Sequence, residues 1–346
     1  MNSVACPYGT HRVLQPPGVL PQGAWKIDNT MSIAANEILL DVAALNVDAA
    51  SFTQIKEQAG GDAARVGQIV QGIVAERGKL HNPVTSSGGM LIGTVRAVGA
   101  ALQGKVDLRP GDKIATLVSL SLTPLVIHAI RAVHLERDQI EIEGQAVLFE
   151  TGLYAKLPRD LPENVALAIL DVAGAPAQTA RLVRPGDTVV VIGGAGKSGT
   201  LCVYEARKRA GAAGCVIGVS PFAQDCQRMR ELGWVDHALQ VDATDAVALM
   251  EAVERVTAGR LADLVINCVN IPNTEMGSIL ATRQGGRIYF FSMATSFTAA
   301  ALGAEGVGKD IEMLVGNGYA RGHAEHALEL LRESDTLRRL FEQRFA

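Results

Sequence analysis

The stretch Val189-Val190-Val191-Ile192-Gly193-Gly194-Ala195-Gly196-Lys197-Ser198-Gly199 decides the fold. A β-branched run ends in a cluster of glycines, and a helical pattern begins at once. In such a turn one glycine permits a sharp bend, one lets the backbone approach a pyrophosphate, and one lets helix and strand pack closely. The helix N-terminus adds N–H groups and a positive dipole end for phosphate. This context favours a dinucleotide-binding turn over an ordinary turn between strand and helix.

Composition sets the broad class. The 346 residues are enough for about two domains. The net charge of −4, without a block of basic residues, argues against nucleic-acid binding. No apolar run reaches the roughly 18 residues of a membrane span, and the first residues lack a signal-peptide pattern, so we expect a cytoplasmic protein. The five cysteines are scattered without a C-x-x-C pair, which favours buried thiols over a zinc knuckle or redox dithiol.

From about residue 187 onward, strand patterns alternate with helix patterns. The predicted strands are Val189–Ile192, Cys215–Val219, Ala238–Val241, Asp263–Asn267, Gly286–Phe291 and Ile311–Val315. This alternation predicts a parallel, doubly wound sheet in an α/β fold. Ligands bind such sheets at the carboxyl ends of the strands. The predicted cofactor contacts are therefore Gly194, Ala195, Gly196, Lys197, Ser198, Gly199, Ser220, Asn267 and Ser292.

The first half of the chain has the pattern of a mostly β domain. The strands predicted there are Glu37–Val42, Leu91–Val98, Lys113–Val118 and Pro124–Ile130. Gly, Pro and Asp turns separate them. Helical spacing appears at Asp62–Arg77, whose role the pattern leaves open, and again at His323–Glu333.

Three segments together resemble the medium-chain dehydrogenase/reductase superfamily. They are Gly88 to Gly99, the Pro-Gly-Asp turn at 110–112, and Arg184 to Val189, which leads into the glycine turn. The resemblance implies a GroES-like, mostly β catalytic domain over residues 1–160, completed by residues 319–346. It also implies a Rossmann dinucleotide-binding domain over residues 161–318 and a homodimer formed through edge strands.

The departures from that pattern concern zinc. Where the zinc enzymes of the superfamily carry His-Glu, this sequence has Gly89-Met90, and where they carry a first cysteine ligand it has Asp48. Catalytic zinc takes about three protein ligands from Cys, His and carboxylate side chains. We therefore expect no metal, and Asp48 is open to a second reading as an ordinary turn residue.

A narrower resemblance runs from end to end of the chain. It is carried by segments 8–12, 82–85, 115–124, 171–178, 267–275, 290–297 and 303–310. They resemble the L-erythro-3,5-diaminohexanoate dehydrogenases. The resemblance implies reversible oxidative deamination of the 3-amino group of that amino acid, which gives 5-amino-3-oxohexanoate and ammonia in lysine fermentation.

This chemistry needs a neutral amine, because an ammonium has no lone pair to stabilise the developing iminium. A free primary amine has a pKa of roughly 10.4, so a base or a desolvating pocket must remove the proton. The candidate residues are Asp171, Asp48, Ser51 and Asn46. Asp171 lies where related enzymes place a site ligand, and the alternative is an aspartate on a helix surface or at a helix cap. Asp48, Ser51 and Asn46 belong to the segment predicted to line the site.

The choice between NAD and NADP stays open at this stage. NAD-specific sites place an acid at the end of the second strand to hold the ribose hydroxyls, and this chain has Ser220 there. No basic residue follows immediately to bind a 2′-phosphate. Two other functions remain as alternatives: a zinc-independent quinone or enoyl reductase of the same superfamily, and a non-catalytic dinucleotide-binding protein. Fold alone does not decide among them.

Overall fold

The computed structural model describes residues 3–291, 294–316 and 318–345. The chain divides into two compact units, Met1–Arg159 and Asp160–Ala346. Within the described residues, no helix combines the length and the apolar character needed to cross a membrane.

The first unit is mainly β-structure. Its strands are β1 (Val13–Gln15), β2 (Lys26–Ile27), β3 (Glu37–Asn46), β4 (Met90–Val98), β5 (Lys113–Thr116), β6 (Leu125–His134), β7 (Gln139–Phe149) and β8 (Tyr154–Lys156). Its helices α1 (Ala49–Gln58) and α2 (Ala63–Arg77) lie between β3 and β4 in the sequence. The main sheet has the order β6-β7-β3-β4-β5-β8 and is antiparallel throughout.

The middle of this sheet forms the core of the first unit. Strand β3 pairs with β4 on one side and β7 on the other. Its residues Ile38, Leu40 and Val42 alternate along the strand and are buried, as expected for a strand with one face on the core. The strand ends at Asn46, which places the following segment at one end of the sheet.

Helix α2 confirms the helix predicted over residues 62–77. The Asp62 carboxylate accepts the N–H of Arg65 and caps its first turn. The helix ends at Gly78, whose φ of 74° closes it in the left-handed conformation. Val66, Val70 and Val74 form its buried stripe, and the helix packs on β6.

The second unit is an α/β sandwich. Its strands are β9 (Thr188–Ile192), β10 (Cys215–Ser220), β11 (His237–Gln240), β12 (Ala262–Asn267), β13 (Thr282–Phe290) and β14 (Glu312–Val315). Its helices are α3 (Glu163–Leu170), α4 (Gly174–Leu182), α5 (Lys197–Ala210), α6 (Ala223–Leu232), α7 (Ala246–Val256), α8 (Glu275–Ala281), α9 (Phe297–Gly306), α10 (His323–Glu333) and α11 (Asp335–Phe345).

The parallel sheet has the strand order β11-β10-β9-β12-β13-β14. This is the order 3-2-1-4-5-6 of a Rossmann sheet, and it reverses between β9 and β12. The predicted fold class is thereby confirmed: a mostly β unit and a doubly wound parallel unit. Helices α10 and α11 pack against α3 and α4, so residues 323–345 lie in the second unit.

Candidate functional site

Gly193 begins the turn at the switch point of the parallel sheet. Its φ of 79° is a left-handed conformation that residues with a side chain rarely adopt. A Cβ here would also lie 2.5 Å from Cγ1 of Val269. Its N–H donates to the carbonyl of Val219 at 2.9 Å, so the turn is tied to the end of β10. Gly193 is therefore required by backbone conformation and by packing.

Two further glycines of the turn are explained by packing alone. A Cβ on Gly199 would lie 1.9 Å from the carbonyl oxygen of Gly193, so the first turn of α5 rests directly on the end of β9. A Cβ on Gly194 would lie 2.8 Å from the sulfur of Met229 on α6. These contacts let helices and sheet approach each other closely at the strand ends.

Gly196 differs from its neighbours. It is exposed, its φ of −71° suits any residue, and the nearest atom to a Cβ would be the Gly193 carbonyl oxygen at 3.2 Å. The conformation does not require a glycine here, and internal packing restricts a side chain less than at Gly193 or Gly199. A ligand that approaches the backbone requires one, because the second glycine of such a turn makes room for a pyrophosphate. The turn therefore fits a dinucleotide.

Charged groups surround the first turn of α5. Lys197, the first residue of the helix, forms an ion pair with Asp171, which follows α3. Arg344 of α11 donates to the carbonyl oxygen of Ala195 at 3.4 Å. Burial lowers the pKa of Arg344, and Arg228 lowers it further, while Asp225 opposes the change. Two basic side chains therefore lie at the turn, as an anion site requires, and Asp171 offsets part of the charge of Lys197.

Ser220 and Asn267 lie at strand ends, where the sequence placed them. Ser220 is buried, and its hydroxyl donates to Oδ2 of Asp225 at 2.8 Å. Asn267 is fully buried, and its amide donates to the hydroxyls of Thr274 and Ser278. Both side chains therefore form hydrogen bonds to the segments that follow their strands. Ser292, the remaining predicted contact, lies outside the described residues.

In the first unit, Asp48 stands between β3 and α1. Its Oδ1 accepts the N–H of Ser51 at 3.0 Å and caps the helix. Its Oδ2 is buried and has no hydrogen-bond partner among the described residues. A buried carboxylate oxygen without a donor is costly, so this atom is the strongest sign of an unfilled polar site in the first unit.

A polar network adjoins that carboxylate. The hydroxyls of Ser51 and Thr85 are 2.5 Å apart, and Ser51 is fully buried. The amide of Asn82 donates to Oε1 of Gln54 at 2.9 Å and accepts the N–H of Val84 at 2.8 Å, which folds the segment 82–87 back onto α1. Ser51 was predicted from the sequence as a site residue. No role was predicted for Asn82 or Thr85, although both lie in a segment that carried the resemblance.

The nearby positions do not supply a zinc donor set. Asn46 ends β3, and a Cβ on Gly89 would lie 2.1 Å from its carbonyl oxygen. Gly89 also has a φ of 95°, so position 89 cannot easily carry a ligating side chain. Within the described parts of the chain, no group of three or more His, Cys, Asp or Glu residues could hold a metal ion. Asp48 with two hydroxyls does not fit zinc.

The segment that leads into this network carries two perturbed groups. Lys79 is fully buried, and its Nζ donates to the carbonyl of Pro21 at 2.6 Å. Burial, helped by the charge of Arg77, lowers the pKa of Lys79 to about 8. Burial and the charges of Lys79 and Arg77 lower the pKa of His81 to about 4. His81 is therefore a neutral imidazole at neutral pH.

The turn, the sheet order and the β unit together define a medium-chain dehydrogenase/reductase fold. A mycobacterial protein solved in complex with NADPH has a TM-score of 0.58 at 17% identity, covering 89% of this chain and 84% of its own. An alcohol dehydrogenase from Thermus sp. ATN1 has a TM-score of 0.52 at 18% identity, covering 89% and 84%. At these identities the likeness concerns the fold alone.

Two family models match the sequence. The model of the L-erythro-3,5-diaminohexanoate dehydrogenase N-terminal domain matches residues 11–158, and that of the zinc-binding dehydrogenases matches residues 199–307. The chain is 57% identical over 340 residues to the L-erythro-3,5-diaminohexanoate dehydrogenase of Acetoanaerobium sticklandii, covering 98% of this chain and 99% of that one. It is also 57% identical to the enzyme of that name from Fusobacterium nucleatum subsp. nucleatum, covering 98% of both. The chain belongs to the L-erythro-3,5-diaminohexanoate dehydrogenase family, and the resemblance seen in its sequence is confirmed.

Proposed function

We propose that this protein catalyses the reversible oxidative deamination of L-erythro-3,5-diaminohexanoate to 5-amino-3-oxohexanoate, in the breakdown of lysine. The observation that carries the proposal is the identity of 57% to two enzymes of that name, over 98% of the chain. The substrate ammonium, oxidised nicotinamide dinucleotide and water give the ketone, reduced dinucleotide, ammonium and one proton. When bound, the dinucleotide supplies the hydride acceptor.

The second unit supplies the dinucleotide site. Gly196 leaves room for a pyrophosphate, and the first turn of α5 presents N–H groups to it. Lys197 and Arg344 add positive charge beside the turn. The glycine turn, Lys197, Ser198 and the strand end at Ser220 are the residues we assign to the cofactor.

The first unit supplies Asp48 as the contact for the substrate amine. A charged amine donates well to a carboxylate, and Asp48 Oδ2 is a buried acceptor without a donor among the described residues. Loss of a proton from that amine to a carboxylate or to water exposes the nitrogen lone pair that the reaction needs. Ser51 and Thr85 hold each other beside Asp48. Asn46, at the end of β3, remains a predicted polar contact, and no metal takes part in this proposal.

The protein is also proposed to act as a homodimer. Strand β14 is an edge of the parallel sheet, and its Val315 is 55% exposed. On helix α9, which precedes it, Phe297 is 76% exposed and Leu302 is 62% exposed. A second copy related by a two-fold axis would extend the sheet and cover these side chains. Light scattering should give twice the chain mass at micromolar concentration, and a V315K variant should give the mass of one chain.

An assay of the purified protein tests the activity. Incubation with L-erythro-3,5-diaminohexanoate and NAD, and separately with NADP, should produce reduced dinucleotide and ammonium in equal amounts. In a second assay, the protein is incubated with reduced dinucleotide and either a quinone or an enoyl thioester, and reduction of that acceptor is measured. Reduction of either acceptor without turnover of the amino acid would overturn the proposal in favour of a reductase. Tight dinucleotide binding without turnover of any of these compounds would favour a non-catalytic protein.

A further inference from the structure

The carboxyl end of β10 carries a hydroxyl and a carboxylate that act together. Ser220 is the last residue of β10 and is buried. Its hydroxyl donates to Oδ2 of Asp225 at 2.8 Å and accepts the N–H of Phe222 at 3.3 Å. The single proton of this hydroxyl is therefore already used. Ser220 orients Asp225 and has no second proton to offer a ribose.

The carboxylate of Asp225 therefore lies beside the end of β10, where the chain has Ser220 in place of an acid. It lies in the first turn of α6, where a negative charge is favoured by the helix dipole. Its Oδ1 is 3.7 Å from Nη2 of Arg228, which is beyond hydrogen-bonding distance. The side chain is 28% exposed, so this oxygen can accept from a ligand hydroxyl.

From this geometry we infer that Asp225, held by Ser220, is the residue that selects NAD over NADP. In a Rossmann sheet the ribose of the adenosine lies at the end of the second strand, and an acid there accepts from its 2′-hydroxyl. A 2′-phosphate at the same place would meet a like charge and lose the hydrogen bond. The inference rests on the proposed dinucleotide site and identifies the group that distinguishes NAD from NADP.

Two arginines near Asp225 would favour NADP over NAD, and binding of NADP is the alternative to this inference. Arg228 lies one helical turn beyond Asp225, and Arg344 interacts electrostatically with both. Together they could bind a 2′-phosphate in place of the carboxylate. The position of Arg344 favours another role, because it donates to the carbonyl of Ala195 in the glycine turn. Asp225 is the charged group that is hydrogen-bonded directly to the end of β10.

The test measures the binding of cofactors and their fragments separately from catalytic turnover. Titration calorimetry with NADH, NADPH, ADP-ribose and 2′-phospho-ADP-ribose separates the adenosine end from the nicotinamide. The wild-type protein should bind NADH and ADP-ribose more tightly than their 2′-phosphates. D225N keeps the shape of the side chain and can still accept from Ser220. It should raise the affinity for both 2′-phosphates by roughly tenfold, as expected for loss of one nearby like charge.

R228Q is the matched control on the same helix. It removes the opposite charge and should weaken binding of the 2′-phosphates further, with NADH binding little changed. S220A should shift the preference in the same direction as D225N, but less. Wild-type preference for NADPH, or an unchanged NADH to NADPH ratio in D225N, would overturn the inference while leaving the deamination proposal intact. Failure of the wild-type protein to bind any of the four ligands would overturn both.

Discussion

Gly199 rests on the carbonyl of Gly193, with no room between them for a methyl group. A Cβ on residue 199 would lie 1.9 Å from that oxygen. The contact joins the first turn of α5 to the end of β9, the central strand at the switch point. Replacement of Gly199 by alanine must therefore push the helix away from the sheet. We expect G199A to destabilise the second unit by about 1–3 kcal/mol, the usual range for overpacking, and to weaken NADH binding.

G196A is the matched variant within the same turn. Its new methyl group would make one close contact, at 3.2 Å from the Gly193 carbonyl oxygen, which is far milder than the 1.9 Å contact in G199A. Its thermal unfolding midpoint should stay near that of the wild type, while NADH binding weakens because the methyl group occupies the space for the pyrophosphate. Calorimetric unfolding and NADH titration of both variants separate the two effects. Equal destabilisation by G196A and G199A would contradict this division of roles.

Asp48 has two separable functions, because each carboxylate oxygen has its own surroundings. Oδ1 caps α1, and Oδ2 lacks a donor among the described residues. Asparagine caps helices as well as aspartate does, so D48N should keep the stability within about 1 kcal/mol. It removes the charge that we assign to the substrate amine, and kcat/KM for the diaminohexanoate should fall by at least roughly tenfold.

Asp62 provides the control for this variant. It caps α2 with the same geometry, accepting the N–H of Arg65 at 3.0 Å. D62N should leave steady-state kinetics unchanged, with a similarly small effect on unfolding. Wild-type kcat/KM in D48N would remove Asp48 from the site and leave its capping role as the full explanation of the residue.

Much of the fold could be predicted from local patterns. A valine-rich run followed by glycine predicted β9. Strand β13 was predicted over Gly286–Phe291, whereas it begins at Thr282 and ends at Phe290. Strand β7 was missed, because outward-facing Glu141 and Glu143 break its apolar run. Its alternation of apolar and charged residues is the signal that could have revealed it. Helix α1 was missed as well, although Asp48 is a preferred residue type at a helix N-cap.

The site was less predictable, because its contacts join residues that the sequence separates. Asp48 and Ser51 are neighbours in the chain, but Thr85 reaches Ser51 only after the chain returns from α2. Asp225, which we propose as the acid missing from the end of β10, lies five residues further on and is joined to Ser220 by a hydrogen bond that no spacing rule shows. Asn267 was predicted as a cofactor contact, and its amide nitrogen donates to Thr274, at the start of α8, and to Ser278 within that helix.

Asp171 was a candidate contact for the substrate amine, and the structure gives it Lys197 as a partner. That pairing places its charge beside the N-terminus of α5. We predict that D171N acts on the cofactor: release of Lys197 should tighten NADH binding a few-fold, and KM for the diaminohexanoate should not change. E333Q is the control, since it releases Lys208 near the other end of α5. A raised KM in D171N with unchanged NADH binding would instead support the role expected from the sequence.

Glu37 makes the first unit sensitive to acid. Its carboxylate lies in the interior, and Nε and Nη2 of Arg12 each donate to it at 2.7 Å. Burial raises the pKa of Glu37, but Arg12, the N–H of Ala34 and His11 outweigh it and hold the pKa below the ordinary value of 4.5. A carboxyl with a lowered pKa in the folded state stabilises the protein above its unfolded pKa of roughly 4.3. That stability is lost as the pH falls further through the folded value.

The variant E37Q isolates this contribution. Breaking a buried ion pair from one side leaves Arg12 with only the carboxylate of Asp28, 3.9 Å away, as a counter-charge, so we expect a loss of about 3–5 kcal/mol at pH 7. The difference between wild type and variant should shrink as the pH falls below the unfolded pKa of roughly 4.3, because the unfolded wild-type chain then binds a proton that the folded state takes up only at lower pH. E143Q breaks an exposed pair with Arg131 and should cost less than about 1 kcal/mol. Urea unfolding of the three proteins at pH 7 and at pH 3.5 tests the prediction, which a pH-independent difference for E37Q would contradict.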